Sequence, residues 1–409
     1  MGGDIYKPID EDELCDVVSN ALSHEIPLEV VGTGSKRGLG RPVYAERTIT
    51  TKALSGITLY EPEELVLRAR AGTPLSIIQA ALDEEGQCLA FEPPDWGPLF
   101  GAIPDGATIG GVIGSNISGS RRFSAGAARD HLLGVRAVTG RGEVIKTGGR
   151  VVKNVTGYDL CKLFTGSYGT LGVMTEVTLK VVPTPEKTRT ILVFGLDATN
   201  AQTVMADILK GPHYVSAAAY LPQAIAQRSN VQYVVQPELS VAAFRLEGPG
   251  PSVIARCETV RTMMESYGRV EELHFHNSQL LWSEIGRVAY FAEKSQVPVW
   301  RVSIPPVNMT RVNGILESHG ISEVYFDWGG GLLWVKIDDR FEDAGAAIIR
   351  GAIANCGGHA TLIRATGALR SHVPVFQPAT VAISALSARL KHGFDPHHIL
   401  NRGRMVAGA

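Results

Sequence analysis

Hydrophobic spacing changes period several times along the first 185 residues. Asp10 is followed three positions later by Glu13, and Leu14, Val17, Val18, Ala21 and Leu22 then recur on one face, which predicts a capped helix. The short apolar run Leu28–Val31 reads as a strand. From Leu65 to Ala71, Leu67 and Ala69 alternate with Arg68 and Arg70, the period of a half-buried strand. Thr73 and Pro74 predict an N-cap and first-turn pair for a helix carrying Leu75, Ile78, Ala81 and Leu82, closed at Gly86. The segment FEPPDWGPLFGAIPDG has no period and reads as a long functional connection. Two strands flank Gly140-Arg141-Gly142 as a hairpin, and an alternating run from Met174 to Val182 stops at Pro183 and Pro185. A first domain over 1–185 is expected.

The next stretch, 186–375, has its own grammar. Strand, helix, strand, strand, helix and strand follow one another between Ile191 and Phe275. After a helical link around Trp282, the same order recurs from Trp300 to Arg364. Two split βαβ units side by side would form one antiparallel sheet with helices on one face, so the chain is placed in the α+β class. A third segment, 376–409, opens on a helix from Thr380 to Leu390 and ends in HGFDPHHILNRGRM.

Two stretches are conspicuously poor in side-chain volume. VVGTGSKRGLG (Val30 to Gly40) follows the strand LEVV, and its amides with Lys36 and Arg37 would suit a phosphate. It lacks the Gly-Lys-Ser/Thr ending of a P-loop and only loosely echoes GxGxxG. The second, Ala107 to Pro183, starts ATIGGVIGSNISGS, where small residues let backbone approach a ligand closely. Together they resemble the FAD-binding domain of the vanillyl-alcohol oxidase / p-cresol methylhydroxylase superfamily (the PCMH type). That resemblance implies FAD held by Gly32, Thr33, Gly34, Ser35, Lys36, Arg37 and Gly38, by Thr108, Ile109, Gly110, Gly111, Ser115 and Gly119, and by Gly169, Thr170, Gly172 and Val173. Pro104, Arg121 and, in the closing motif, Asn401 are further expected contacts. The doubled sheet would then be a ferredoxin-like cap over the flavin, and 376–409 would return to the flavin domain. No His or Cys occurs in the Gly-rich loop or the ATIGG region, so non-covalent FAD is expected, with His397 and His398 as the remaining attachment points.

Charge adds little direction: 39 Lys and Arg stand against 41 Asp and Glu, so no basic excess points to nucleic acid or anionic lipid. The N-terminal residues carry no apolar signal segment, Tyr6 breaks the myristoylation pattern, and no apolar run approaches a membrane span. Cys15, Cys88, Cys161, Cys257 and Cys356 are scattered without CxxC, which fits free thiols in a reducing cytoplasm and not an iron–sulfur or zinc site.

An α-hydroxy acid substrate would need a cation for its carboxylate and a base for its hydroxyl proton. Arg121, Arg245, Arg301, Arg364 and Arg404 are the candidate cations, with Arg364 and Arg404 favoured as the end of the last cap strand and part of the closing motif. His359 leads the candidate bases, ahead of His397 and His398. Related 2-hydroxy-acid dehydrogenases carry an HxGDGNxH-like and a GEHG-like segment. Here those places read FDWGGGLLWV and CGGHATLIR, which leaves His359 alone and no metal expected. With GYDLCKLFTGSYGTLGV and FDPHHILNRGRM, this departure resembles the smaller of the FAD-binding subunit families of bacterial glycolate oxidases. It implies glycolate, or a related small 2-hydroxy acid, oxidised in a complex with a larger FAD-containing subunit and an iron–sulfur subunit, electrons reaching quinone. Peripheral membrane association would come through those partners. The competing expectation is a flavin relay or assembly subunit that oxidises nothing itself. A UDP-N-acetylmuramate-forming reductase shares a related flavin domain, but the FDP…ILN closure and the doubled cap argue against it.

Overall fold

A computed structural model describes residues 4–150, 157–292, 296–338 and 340–408; part of the second small-residue stretch, 151–156, lies outside them. The chain divides into two compact units, one of Met1–Ser118, Gly126–Thr184 and Pro378–Ala409, the other of Gly119–Ala125 and Pro185–Gln377.

The first unit opens with β1 (Ile5–Tyr6), α1 (Glu11–Ser23), β2 (Leu28–Val31) and β3 (Arg47–Thr50), the strands lying parallel in the order β1-β3-β2. Asp10 caps α1 by accepting from the Glu13 amide at 2.9 Å, while the Glu13 carboxylate accepts from the Ile9 amide at 3.0 Å. This leaves Leu14, Val18 and Ala21 free to pack on Leu28 and Ile49. Next come β4 (Ile57–Glu61), β5 (Val66–Arg70), α2 (Leu75–Glu84), β6 (Gln87–Cys88) and α3 (Ile109–Ser115), and then α4 (Arg122–Ala125), which belongs to the second unit. The hairpin strands β7 (Leu132–Thr139) and β8 (Val144–Gly148), α5 (Leu160–Phe164), β9 (Gly172–Lys180) and β10 (Val182–Pro183) follow. An antiparallel sheet runs β4-β5-β9-β7-β8, and β10 pairs with β6.

Three local expectations are corrected. Helix α2 starts at Leu75, because the Thr73 hydroxyl accepts from the Gly56 amide and donates to the Arg70 carbonyl instead of capping. Strand β9 is buried on both faces, Thr175 and Thr178 included, because it sits at the centre of its sheet. The glycine-rich ATIGG run is itself a helix, α3: Ile109, Val112 and Ile113 are fully buried, and Thr108 caps it by accepting from the Gly111 amide.

The second unit is one eight-stranded sheet. Its strands are β11 (Lys187–Phe194), β12 (Val215–Leu221), β13 (Val241–Gly248), β14 (Val270–Leu273), β15 (Val299–Ser303), β16 (Val324–Asp327), β17 (Leu332–Lys336) and β18 (His359–Arg364). The order β14-β11-β13-β12-β16-β17-β15-β18 is a ferredoxin-like half (4-1-3-2) met by its repeat (2-3-1-4), joined through β12 and β16. Helices α6 (Ala198–Lys210), α7 (Gly250–Met264), α9 (Met309–Ser318) and α10 (Ala346–Ile353) bury one core with alternate strand residues such as Ile191, Phe244, Val302 and Leu362. The link helix α8 (Phe275–Arg287) packs on the opposite face, where Trp282 donates to the Thr190 hydroxyl at 2.8 Å.

The chain then re-enters the first unit with α11 (Val381–Phe394). Leu400 bridges Leu28 in parallel, and Ile399 and Leu400 join the α1 core. Lys391 holds this return: its Nζ donates to Asp395 Oδ2 at 2.6 Å and to the Thr170 and Leu400 carbonyls. Asp395 is fully buried against Gly140, where any Cβ would lie 2.3 Å from its Oδ1.

Candidate functional site

A cleft in the first unit, with an empty volume of about 780 Å³, is lined by three stretches that the sequence keeps small. Strand β2 hands the chain to the loop Gly32–Arg37, α3 contributes Thr108, Gly110, Gly111, Gly114 and Ser115, and the approach to β9 adds Tyr168, Gly169, Gly172 and Met174. Asn401 and Arg404 complete the wall. Glycine serves internal packing as well as access: a Cβ on Gly32 would stand 2.3 Å from Thr108 Oγ1, so loop and helix meet only because that side chain is missing.

Lys36 is the cleft's distinguishing group. It is half-buried, and a Cβ built on Gly111 would lie 3.7 Å from its Nζ. Among the described residues that Nζ makes no hydrogen bond or salt bridge. Loss of hydration lowers its pKa, with only the charge of Asp95 opposing. An ammonium so placed, beside walls of backbone and hydroxyls, fits a diphosphate. Arg37 is different: its guanidinium is spent on Glu29, at 2.6 and 2.9 Å, and on Thr48.

Of the expected FAD contacts, Gly32, Thr33, Gly34, Ser35, Lys36, Arg37, Thr108, Gly110, Gly111, Ser115, Gly169, Gly172 and Asn401 meet in this cleft. Asn401 Oδ1 accepts from the Val30 amide at 2.9 Å and its Nδ2 donates to the Tyr168 carbonyl at 2.7 Å, fixing two walls at once. Several expected contacts do not line it. Ile109 and Val173 are fully buried in core, Thr170 donates to the Ser167 carbonyl, and Gly38 packs under Phe100. Pro104 lies in the connection before α3, outside the lining. Gly119 and Arg121 belong to the second unit: the Gly119 carbonyl accepts from Trp328 Nε1 at 3.1 Å, and Arg121 pairs with Glu247 at 2.6 Å. The sequence reading missed Leu39, Thr51, Ala71, Tyr168 and Met174 in the wall; as ordinary residues of strands and turns they carried no compositional signal. No histidine or cysteine lines the cleft among the described residues.

The expected catalytic residues are distributed differently. Arg404 lines this same cleft, but its guanidinium donates to the Arg37 and Leu39 carbonyls at 3.0 Å and to Glu29 at 3.1 Å, so it braces the loop. Arg364 is 4% exposed and donates to the Val297 and Phe291 carbonyls, holding strand to connection inside the second unit. Arg245 is buried beside Glu247 and over the Trp282 ring. His359 stands at the exposed start of β18, opposite Ser303, and Arg301 follows on the same face opposite Thr361. Partial desolvation first, then the charges of Arg301 and Arg122, hold its imidazole below the ordinary value. Arg122 in turn stacks on Trp328, 4.7 Å from the ring centre. Arg122 was not among the expected residues; its place follows from the strand pairing and the Gly119–Ala125 strap, neither of which is local in sequence.

A family of FAD binding domains matches residues 5–148. The protein is similar to glycolate oxidase subunit GlcD of Bacillus subtilis (strain 168), 27% identical over 98% of this chain and 88% of that one. Its fold is that of 4-ethylphenol oxidase from Gulosibacter chungangensis, with a TM-score of 0.73 at 16% identity over 98% of this chain and 88% of that one. P-cresol methylhydroxylase is similar in the same way, with a TM-score of 0.69 at 15% identity. Glycolate oxidase subunit GlcE of Escherichia coli (strain K12) is 34% identical over 96% of this chain and 97% of its own length. The chain thus belongs to the family of that GlcE protein, FAD-binding oxidoreductases of the p-cresol methylhydroxylase fold.

Proposed function

We propose that this chain is the FAD-holding subunit of an enzyme that oxidises glycolate, or a close 2-hydroxy acid, to the 2-oxo acid. Its electrons would pass through a larger flavin subunit and an iron–sulfur subunit to quinone. The observation that carries the reading is the cleft around Lys36, whose cation has no protein partner among the described residues and whose walls are backbone and hydroxyl groups. Lys36 and the Gly32–Ser35 loop would hold the diphosphate, and Asn401 keeps that loop in register with the Tyr168–Gly169 turn. FAD supplies the two-electron oxidation when bound. The absence of His and Cys from the described lining supports non-covalent binding.

For a 2-hydroxy acid, Arg301 and Arg122 offer cationic charge for the carboxylate, and His359 offers an acceptor for the hydroxyl proton. The commitment of Arg364 and Arg404 to main-chain carbonyls favours a second reading, a relay whose oxidation occurs on another subunit. The visible spectrum of the purified chain separates the two. Bleaching of a yellow protein by glycolate alone is expected for an oxidase. A yellow protein that glycolate leaves unchanged, yet that a partner subunit reduces, would establish the relay, and a colourless protein would end both readings.

A further inference from the structure

Between β16 and β17 three consecutive residues have left-handed backbone, Trp328 with φ 53°, Gly329 with φ 63° and Gly330 with φ 90°. Glycine reaches that region without strain, whereas a bulky side chain there is an outlier that its surroundings must enforce. Trp328 is held from two sides. Its amide donates to Asp327 Oδ1 at 2.7 Å, and its indole Nε1 donates to the Gly119 carbonyl at 3.1 Å. The buried Asp327 also accepts from the Ser120 hydroxyl at 2.7 Å. The strap that supplies Gly119 and Ser120 is fastened again beyond Arg122, where the Ser124 hydroxyl donates to the Ser216 carbonyl at 2.9 Å. Arg122 lies between these anchors, its guanidinium carbon 4.7 Å from the centre of the Trp328 ring. A guanidinium stacked by its face keeps its N–H donors in the plane, at the edge of the stack.

The same end of the sheet carries His359. Register places Asp327 opposite Leu332, Leu332 opposite Ser303 and Ser303 opposite His359, one row across β16, β17, β15 and β18. Val302, Ala360 and Leu362 fill the core under the helices, so Arg301, Ser303 and His359 occupy the other face. Arg122 is near enough for its charge, after burial and the charge of Arg301, to hold the His359 imidazole below its ordinary pKa. We propose that Trp328 is the positioning residue of a carboxylate site: its indole face holds Arg122 toward His359 and fixes where a small 2-hydroxy acid places its carboxylate. This rests on the 2-hydroxy-acid reading above. A long cation already held in one place loses less entropy when the anion binds. Glycine at 328 would suit the backbone better and leave Arg122 loose.

The test follows the His359 ring by NMR in the full chain, labelled in its histidines, with His359→Gln to assign the signal. Arg122→Ala should raise the His359 pKa, because a neighbouring positive charge is removed. Trp328→Gly deletes the indole while relieving the left-handed backbone, and should raise that pKa as far as Arg122→Ala does. Trp328→Phe keeps an aromatic face and should restore most of the wild-type value. Glycolate should shift the wild-type signal saturably. Both Arg122→Ala and Trp328→Gly should weaken that binding about tenfold or more, the worth of one charge-assisted contact. An unchanged His359 pKa in Trp328→Gly, with glycolate bound at wild-type strength, would overturn the positioning role alone. A wild-type signal that glycolate never moves would sink the 2-hydroxy-acid reading itself, and this proposal with it.

Discussion

Lys36 and Arg37 are neighbours with opposite assignments. Arg37 sits in a salt bridge with Glu29, whereas Lys36 enters the cleft with nothing but the distant charge of Asp95 to offset its lost hydration. Lys36→Met should therefore weaken FAD about ten- to a hundredfold, the worth of one charge-assisted hydrogen bond. Arg37→Met should change affinity far less; flavin fluorescence titration of the apoprotein measures both. Sequence made this loop the candidate for an anion, because glycines, hydroxyls and two cations lie together after a strand. It could not show which cation was free, since Glu29 reaches Arg37 only once β2 is extended. For the same reason Arg364 and Arg404 looked available: their acceptors are main-chain carbonyls, which every sequence contains and none advertises.

At the scale of elements, two buried ion pairs fix segments that the chain supplies from far away. Lys391 and Asp395 lock the returning tail, and removing one partner leaves the other buried and uncompensated, a loss of about 3–5 kcal/mol. Lys391→Met and Asp395→Asn should each lower the melting temperature by that much stability, and the double variant by less than their sum. In the second unit Glu247 joins Arg121 to β13. Burial pushes its pKa up, but the charges of Arg245 and the hydrogen bonds from Arg121 outweigh it and hold the carboxyl well below its ordinary 4.5. A depressed folded-state pKa means stability that is complete above pH 4.5 and is lost as the pH falls below it. Glu247→Gln should flatten that acid limb in thermal melts as the pH falls from about 5 towards 2, from the unfolded carboxyl's range down to the folded value of about 2. The repeating strand–helix order of the second unit was readable from periodicity. The strap Gly119–Ala125 was not, since its glycine and serines read equally well as ligand contacts.

Taken as a whole molecule, the cleft proposed for FAD lies in the first unit, so ligand should act on that unit directly. At FAD about a hundredfold above its Kd, stabilisation of about 2.7 kcal/mol is expected by mass action. Differential scanning calorimetry should show the transition of the first unit moving up with FAD; a thermogram indifferent to flavin would remove the cleft as its site. The fold class was legible because two different grammars, mixed and then doubled, meet near residue 185. The return of the tail was legible only through the closing motif.

That return has a consequence for biosynthesis. Asn401 bonds the Val30 amide across 371 positions, and Ile399 and Leu400 finish a core begun by Leu14 and Leu28. During translation the entire doubled sheet emerges before those residues do. Until then the early half has an apolar seam unsealed, while the intervening sheet is already complete. Cofactor loading is expected only in chains whose synthesis has passed Asn401, and flavin colour would then report completed translation as well as correct folding.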